Sequence, residues 1–161
     1  MRRGVCLRTA ILDEYERHAL LWYRDPEVLR FSEGGSEPYG LEQIRAMFDA
    51  LSRKGELYLI ERASQPIGDA ALLPDEVPIV IGRPEDRSRG IGTEVLELLI
   101  MRARELGWRE MRVAHIHPDN VRSQRLYARA GFMRVGDGTF RKDLLATSAH
   151  RRAAATPDVQ D

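Results

Sequence analysis

The six residues RSRGIG, 87–92, stand directly before the apolar run TEVLELLIMRARELG, 93–107. How they are read decides the fold. Glycine inside a helix costs about 1 kcal/mol relative to alanine, yet two glycines sit where a helix begins. The run that follows has apolar residues at helical spacing, and Gly107 suits the position past its end near Leu106. A helix start exposes unpaired N–H groups and a partial positive charge. Gly90 and Gly92 leave no Cβ to keep a ligand away. Arg87 and Arg89 add charge, a combination that suits a phosphate. A plain helix start with two turn glycines and solvated arginines accounts for the same residues equally well. Two common nucleotide signatures are absent: no Gly-Lys-Ser/Thr follows, and Val95 fills the third glycine's place in G-x-G-x-x-G.

Working outward, residues 79–81 (IVI) form a short strand ahead of the loop. Before them, 74–78 (PDEVP) and 63–68 (ASQPIG) read as turns around strands at 68–73 and 56–62. Residues 41–53 carry Leu41, Ile44, Met47, Phe48 and Leu51 on one helical stripe, and Gly55 stops it. Residues 24–40 hold two prolines and three glycines and read as a long loop. Residues 12–23 are a helix, and 4–10 an opening strand. Beyond the central helix come a strand at 111–117, a helix at 120–130 ended by Gly131, and a hairpin around GDGT, 136–139. The order β, α, α, β, β, β, α, β, α, β, β predicts an α+β fold. Its central sheet is mixed and mostly antiparallel, with helices on both faces. The crossover through the 93–106 helix is expected to be parallel and right-handed.

A chain of 161 residues suits one domain with its own core, expected over 1–145. Residues 146–161 have almost no large apolar group and read as a flexible tail. Lys plus Arg and Asp plus Glu number 25 each, so the balance gives no support to nucleic-acid binding. No stretch approaches the roughly 18 apolar residues of a membrane span. Cys6 is the single cysteine, which excludes an internal disulfide; with no secretory pattern, a reducing cytoplasm is the expected location.

A second constellation is NVRSQRLYARAGF, 120–132. Asn120 and Ser123 suit a helix start, Tyr127 lies one turn beyond Ser123, and Gly131 ends the helix before Phe132. Alone, this is a capped helix with a core tyrosine. Together with RSRGIG it resembles the GNAT superfamily of N-acetyltransferases. The first segment matches the family's Arg/Gln-x-x-Gly-x-Gly/Ala loop through Arg87, Gly90 and Gly92. The second matches through Asn120, Ser123, Leu126, Tyr127, Gly131 and Phe132. The strand order is similar as well, and "DPEVLRF", 25–31, looks like the branch containing ribosomal-protein N-acetyltransferases and related small-molecule enzymes.

The resemblance implies a GNAT-like fold and acetyl-CoA as co-substrate. Its pyrophosphate would lie on the loop formed by Arg87, Ser88, Arg89, Gly90, Ile91, Gly92 and Thr93. Its pantetheine arm would pair with the backbone of Ile79, Val80 and Ile81 like an added strand, held also by Asn120 and Ser123. Tyr127 would protonate the departing thiolate; a phenol, with a reference pKa of about 10, is protonated at neutral pH. The acceptor would be a small-molecule amine or a protein N-terminus, and a homodimer stays open.

One departure stands out. Many relatives carry a glutamate on the strand before the loop, and here that place is Val77, with Glu76 beside it. Water could relay the amine proton to Asp69, Glu76 or His115, each of which also reads as a surface or structural group. His115 and His117 share a strand face, but no third ligand is placed for a metal. Trp22, Tyr23, Phe31 and Tyr39 border the long loop, as acceptor pocket or as packing. Arg122 and Arg125 could reach an outer phosphate. Against the enzyme stands a non-catalytic acyl-CoA-binding or sensing module: Tyr127 favours the first, Val77 keeps the second alive. A nucleotide-phosphate protein unrelated to acyl transfer is disfavoured by the 120–132 match.

Overall fold

The computed structural model describes residues 4–32 and 35–145. Strand β1 (Val5–Thr9) leads into helix α1 (Leu12–Trp22), a single turn α2 (Pro26–Leu29) and helix α3 (Leu41–Lys54). Strands β2 (Glu56–Arg62), β3 (Gln65–Leu72) and β4 (Ile79–Ile81) follow. Helix α4 (Ile91–Glu105), β5 (Glu110–Val113), α5 (Val121–Arg129), β6 (Met133–Gly136) and β7 (Thr139–Asp143) complete the fold.

The strands form two sheets, one in the order β1-β2-β3-β4 and one in the order β5-β7-β6. All pairings among the described strands are antiparallel. The α+β class with a mostly antiparallel sheet therefore holds, while the expected parallel pairing through α4 does not form. Among the described residues β4 pairs only with β3 and β5 only with β7, and no main-chain bond closes the gap between the two sheets.

Alternation along the strands assigns the two faces. Leu57 and Leu59 of β2 and Ala71 of β3 pack with Tyr15, Ala19 and Trp22 of α1 and Ile44 of α3. Ile60, Ala70 and Leu72 point the other way, against Val95, Leu96 and Leu99 of α4 and Tyr127 of α5. Helices thus cover both faces, as expected.

Three local readings are corrected. The turn between β2 and β3 is only Ala63 and Ser64, with φ of 51° and 63°. Two positive φ values suit a two-residue hairpin, but neither residue is the Gly, Asn or Asp that announces one, so β3 starts earlier than its pattern suggested. The strand at 111–117 stops at Val113; His115 has φ 60°, and the two histidines do not share a strand face. The long loop contains α2. Asp25 caps it by accepting from Glu27 N–H at 2.9 Å, and Pro26 occupies its first turn, the arrangement its "DP" signals. The tail at 146–161 lies outside the described residues.

Candidate active site

The gap beside β4 is the centre of the site. Ala71 N–H donates to Pro78 O at 3.0 Å and Gly82 N–H to Ile67 O at 2.8 Å, so residues 78 and 82 turn their peptide groups to β3. Alternation then turns those of 77, 79 and 81 to the open edge. Two carbonyls on that edge are already engaged. Val77 O accepts the Tyr127 hydroxyl at 2.5 Å, and Ile81 O accepts Arg87 Nε at 3.0 Å. Ile79 lies between them.

At the far end of β4 a short 3₁₀ turn (Pro84–Asp86) leads into the glycine loop. Buried Asp86 holds Arg62 of β2 at 2.9 Å and roots the loop on the sheet. Ser88 has φ 59° and Gly90 φ 77°; Gly90 caps α4 in the left-handed region, which glycine enters without a Cβ penalty. The first helical bond is Glu94 N–H to Gly90 O, 3.2 Å. The N–H groups of Ile91, Gly92 and Thr93 therefore have no partner within the helix. Ser88, Arg89, Gly90 and Thr93 are exposed. A Cβ at Gly92 would meet only ordinary contact with Leu126 of α5, at 3.5 Å, so α4 and α5 lie close here without requiring a glycine.

Helix α5 is capped by Asn120, whose Oδ1 accepts from Ser123 N–H at 3.2 Å. Its Tyr127 is buried, edge-on to Phe132 at 5.4 Å. Burial, and then the charge of Glu76, push the Tyr127 pKa well above the usual phenol range. The group is a held proton donor. Val77, where a carboxylate was sought, is fully buried and contributes its carbonyl instead.

The chain's sequence agrees with this geometry. A family model described as the acetyltransferase (GNAT) domain matches residues 5–133. The chain belongs to the GNAT acetyltransferase family.

Solved GNAT structures share the fold. An N-acetyltransferase from Staphylococcus aureus Mu50 superposes with a TM-score of 0.70 at 17% identity, over 88% of this chain and 99% of its own. The protein yncA from Salmonella typhimurium, solved with its cofactor acetyl-CoA, gives 0.65 at 16% identity, over 88% and 94%. The aminoglycoside acetyltransferase AAC(6')-Ib, solved with coenzyme A, gives 0.73 at 18% identity, over 92% and 99%. At these identities the likeness is one of fold.

The remaining candidate residues of this GNAT domain sort by element. Gly90 caps α4 and Gly92 lies in its first turn, Asn120 caps α5 through Ser123, and Tyr127, in the last turn of α5, brings its hydroxyl to Val77 ahead of β4. Arg122 and Arg125 are exposed on α5. The Arg87 guanidinium is turned away from the α4 start, toward Ile81 O, Gly82 O at 3.4 Å and Asp25 Oδ2 at 3.0 Å. On the opposite face Trp22 and Tyr23 are core, not pocket wall; Tyr39 stacks on Tyr23 at 5.1 Å. Phe31 stays accessible, and its ring meets His117 across the gap at 5.8 Å. His115 is exposed, and His117 Nδ1 accepts from Asp119 N–H at 3.1 Å. Among the described residues, no three His, Cys, Asp or Glu side chains gather as a metal site, and no helix is long and apolar enough to cross a membrane.

Asp69 is the surprise of this face. It is 4% exposed on β3 and accepts from the hydroxyls of Tyr15 and Tyr23, each at 3.1 Å to Oδ2. Burial pushes its carboxyl pKa up to about 7, the two phenol bonds acting against the rise. The sequence signal was a lone acid inside the apolar strand IGDAALL; its paired phenols come from α1 and from its C-cap Tyr23, some fifty residues earlier in the chain.

Proposed function

We propose that this chain transfers the acetyl group of acetyl-CoA directly to a primary amine, on a small molecule or a protein N-terminus. The observation that carries this reading is the open edge of β4. It lies between the unpaired N–H groups of α4 and the buried hydroxyl of Tyr127. A diphosphate fits the first, with the helix dipole favouring its charge. The amide-bearing pantetheine arm fits the edge itself, pairing with Ile79 as an added strand would. Asn120 stands at the start of α5 beside the same arm.

The reaction then follows from the groups present. A neutral amine attacks the thioester carbonyl, and a β4 N–H stabilises the oxyanion. The C–S bond breaks, and Tyr127 turns its proton from Val77 O to the leaving sulfur. The proton lost by the amine leaves through water, since Val77 supplies no base. The cofactor occupies the α4–α5 face, and the amine enters from the α1–α2 side, where Phe31 and His117 meet. We place this activity in one domain, residues 1–145, working in the cytoplasm.

A binding or sensing module is the second reading, favoured by the buried Val77. An acetyl-CoA consumption screen across amine classes decides between them. Turnover with any amine supports transfer; acetyl-CoA binding without turnover across the panel supports the module.

A further inference from the structure

The Arg87 side chain carries an inference that deepens the transfer reading and rests on it. A phosphate ligand at this position would hold its cation in front of α4. Instead, the Arg87 side chain is 14% exposed and donates to Ile81 O, Gly82 O and Asp25 Oδ2. Asp25 faces it at 3.0 Å and largely neutralises its charge. The same carboxylate caps α2, and that backbone N–H bond, with Arg87, holds its pKa below the usual carboxylate range. Exposed Arg89, two residues on, remains the arginine beside the phosphate segment.

What Arg87 grips is the cap of α2, the side from which the transfer reading brings the amine. Helix α2 is four residues long, too short to stand without tertiary support. It is held by its Asp25 cap, by burial of Leu29 and by Arg87. The corner is fixed again at Gly82, where a Cβ would lie 2.1 Å from Cγ of Trp22. Directly after α2 comes Phe31, whose ring crosses the gap to His117. We propose that Arg87 and Asp25 form a positioning pair for the amine acceptor, and that Arg87 is not a phosphate ligand. The pair ties α2 and the Phe31 wall to the end of β4, beside the arm-binding edge. Misplacing such a wall costs acceptor orientation, not cofactor affinity.

The test separates the two sites. Asp25→Asn keeps a helix cap of equal quality and removes the charge; Arg87→Gln removes the other partner. Acetyl-CoA affinity is measured by calorimetry, and amine KM and kcat with the best acceptor of the screen. Each single variant is expected to raise amine KM about tenfold, the scale of one charge-assisted bond. The double variant is expected to cost no more than either single one, and acetyl-CoA affinity to stay within about threefold in all three. Arg87→Gln losing acetyl-CoA while Asp25→Asn is silent would overturn the proposal and return Arg87 to the phosphate. An amine KM unchanged in Asp25→Asn would overturn it as well, with transfer itself intact. Should the native chain bind acetyl-CoA but turn over no amine, amide hydrogen exchange over residues 26–31 decides. Faster exchange in both variants, with cofactor affinity kept, supports the pair; unchanged exchange sinks it. A native chain that binds no acetyl-CoA removes the transfer reading and this one together.

Discussion

The two faces of the β1–β4 sheet are built on different principles. The α4–α5 face presents main-chain groups: helix-start N–H donors at Ile91, Gly92 and Thr93, and the open edge at Ile79. The α1–α3 face presents side chains: a buried carboxyl under two phenols, a tryptophan seated on a glycine, and an ion pair at the corner. A main-chain site is general to its ligand and tolerant of sequence around it. The side chains of the second face are core: Asp69, Tyr15, Trp22 and Tyr23 are buried and hold the fold, while the main-chain groups of the first are left open to a ligand.

The largest expected effect breaks the main-chain side. Gly92→Asp places a carboxylate in the first turn of α4, where the dipole favours it and the helix keeps its stability. The same charge repels a diphosphate. The melting-temperature rise given by acetyl-CoA is expected to vanish, while Gly92→Ala, whose Cβ finds only ordinary contact with Leu126, keeps most of it. A full rise in Gly92→Asp would take the loop out of the site.

Next in size is Tyr127→Phe. The ring stays against Phe132, so folding and acetyl-CoA affinity are expected to hold. General acid catalysis supplies about 10²–10⁴-fold; because a thiolate leaves fairly well unaided, kcat is expected to fall near the lower end. Steady-state kinetics at saturating acetyl-CoA reads this, and an undiminished kcat would leave the hydroxyl as a brace on Val77 alone.

The side-chain face is probed by Gly82→Ala. The added methyl meets a buried, rigid indole, and overpacking of this kind costs about 1–3 kcal/mol. A urea-unfolding midpoint equal to the native one would show that Trp22 can yield.

The smallest effect is a slope. Asp69 titrates near 7 when folded and near 4 when unfolded. Between those values the unfolded chain releases a proton that the folded chain keeps, so stability from this group falls as pH rises from about 4 to about 7. Asp69→Asn cannot titrate. The native chain is expected to gain stability relative to the variant as pH is lowered through that window, read as the difference between their urea midpoints. A difference independent of pH would place the carboxyl's titration elsewhere.

What is legible from the chain alone follows from local rules. RSRGIG marks a helix start, because glycine and an unpaired N–H are properties of adjacent residues. Asn120, Ser123 and Tyr127 fall on one helix at fixed spacing, and the strand at 79–81 was bounded correctly. The class of fold followed from the order of such elements. Tertiary structure alone decided the rest, because it rests on partners distant in the chain. That β4 and β5 do not pair with each other depends on how two sheets pack, not on either strand's pattern. That Arg87 turns to Asp25, 62 residues away, is not written in its neighbours. That Asp69 is a buried acid and not a surface group depends on Tyr15 of α1 and Tyr23 at its C-terminal end reaching it. Spacing along a chain says which groups share an element; only packing says which charge meets which, and burial sets how strongly.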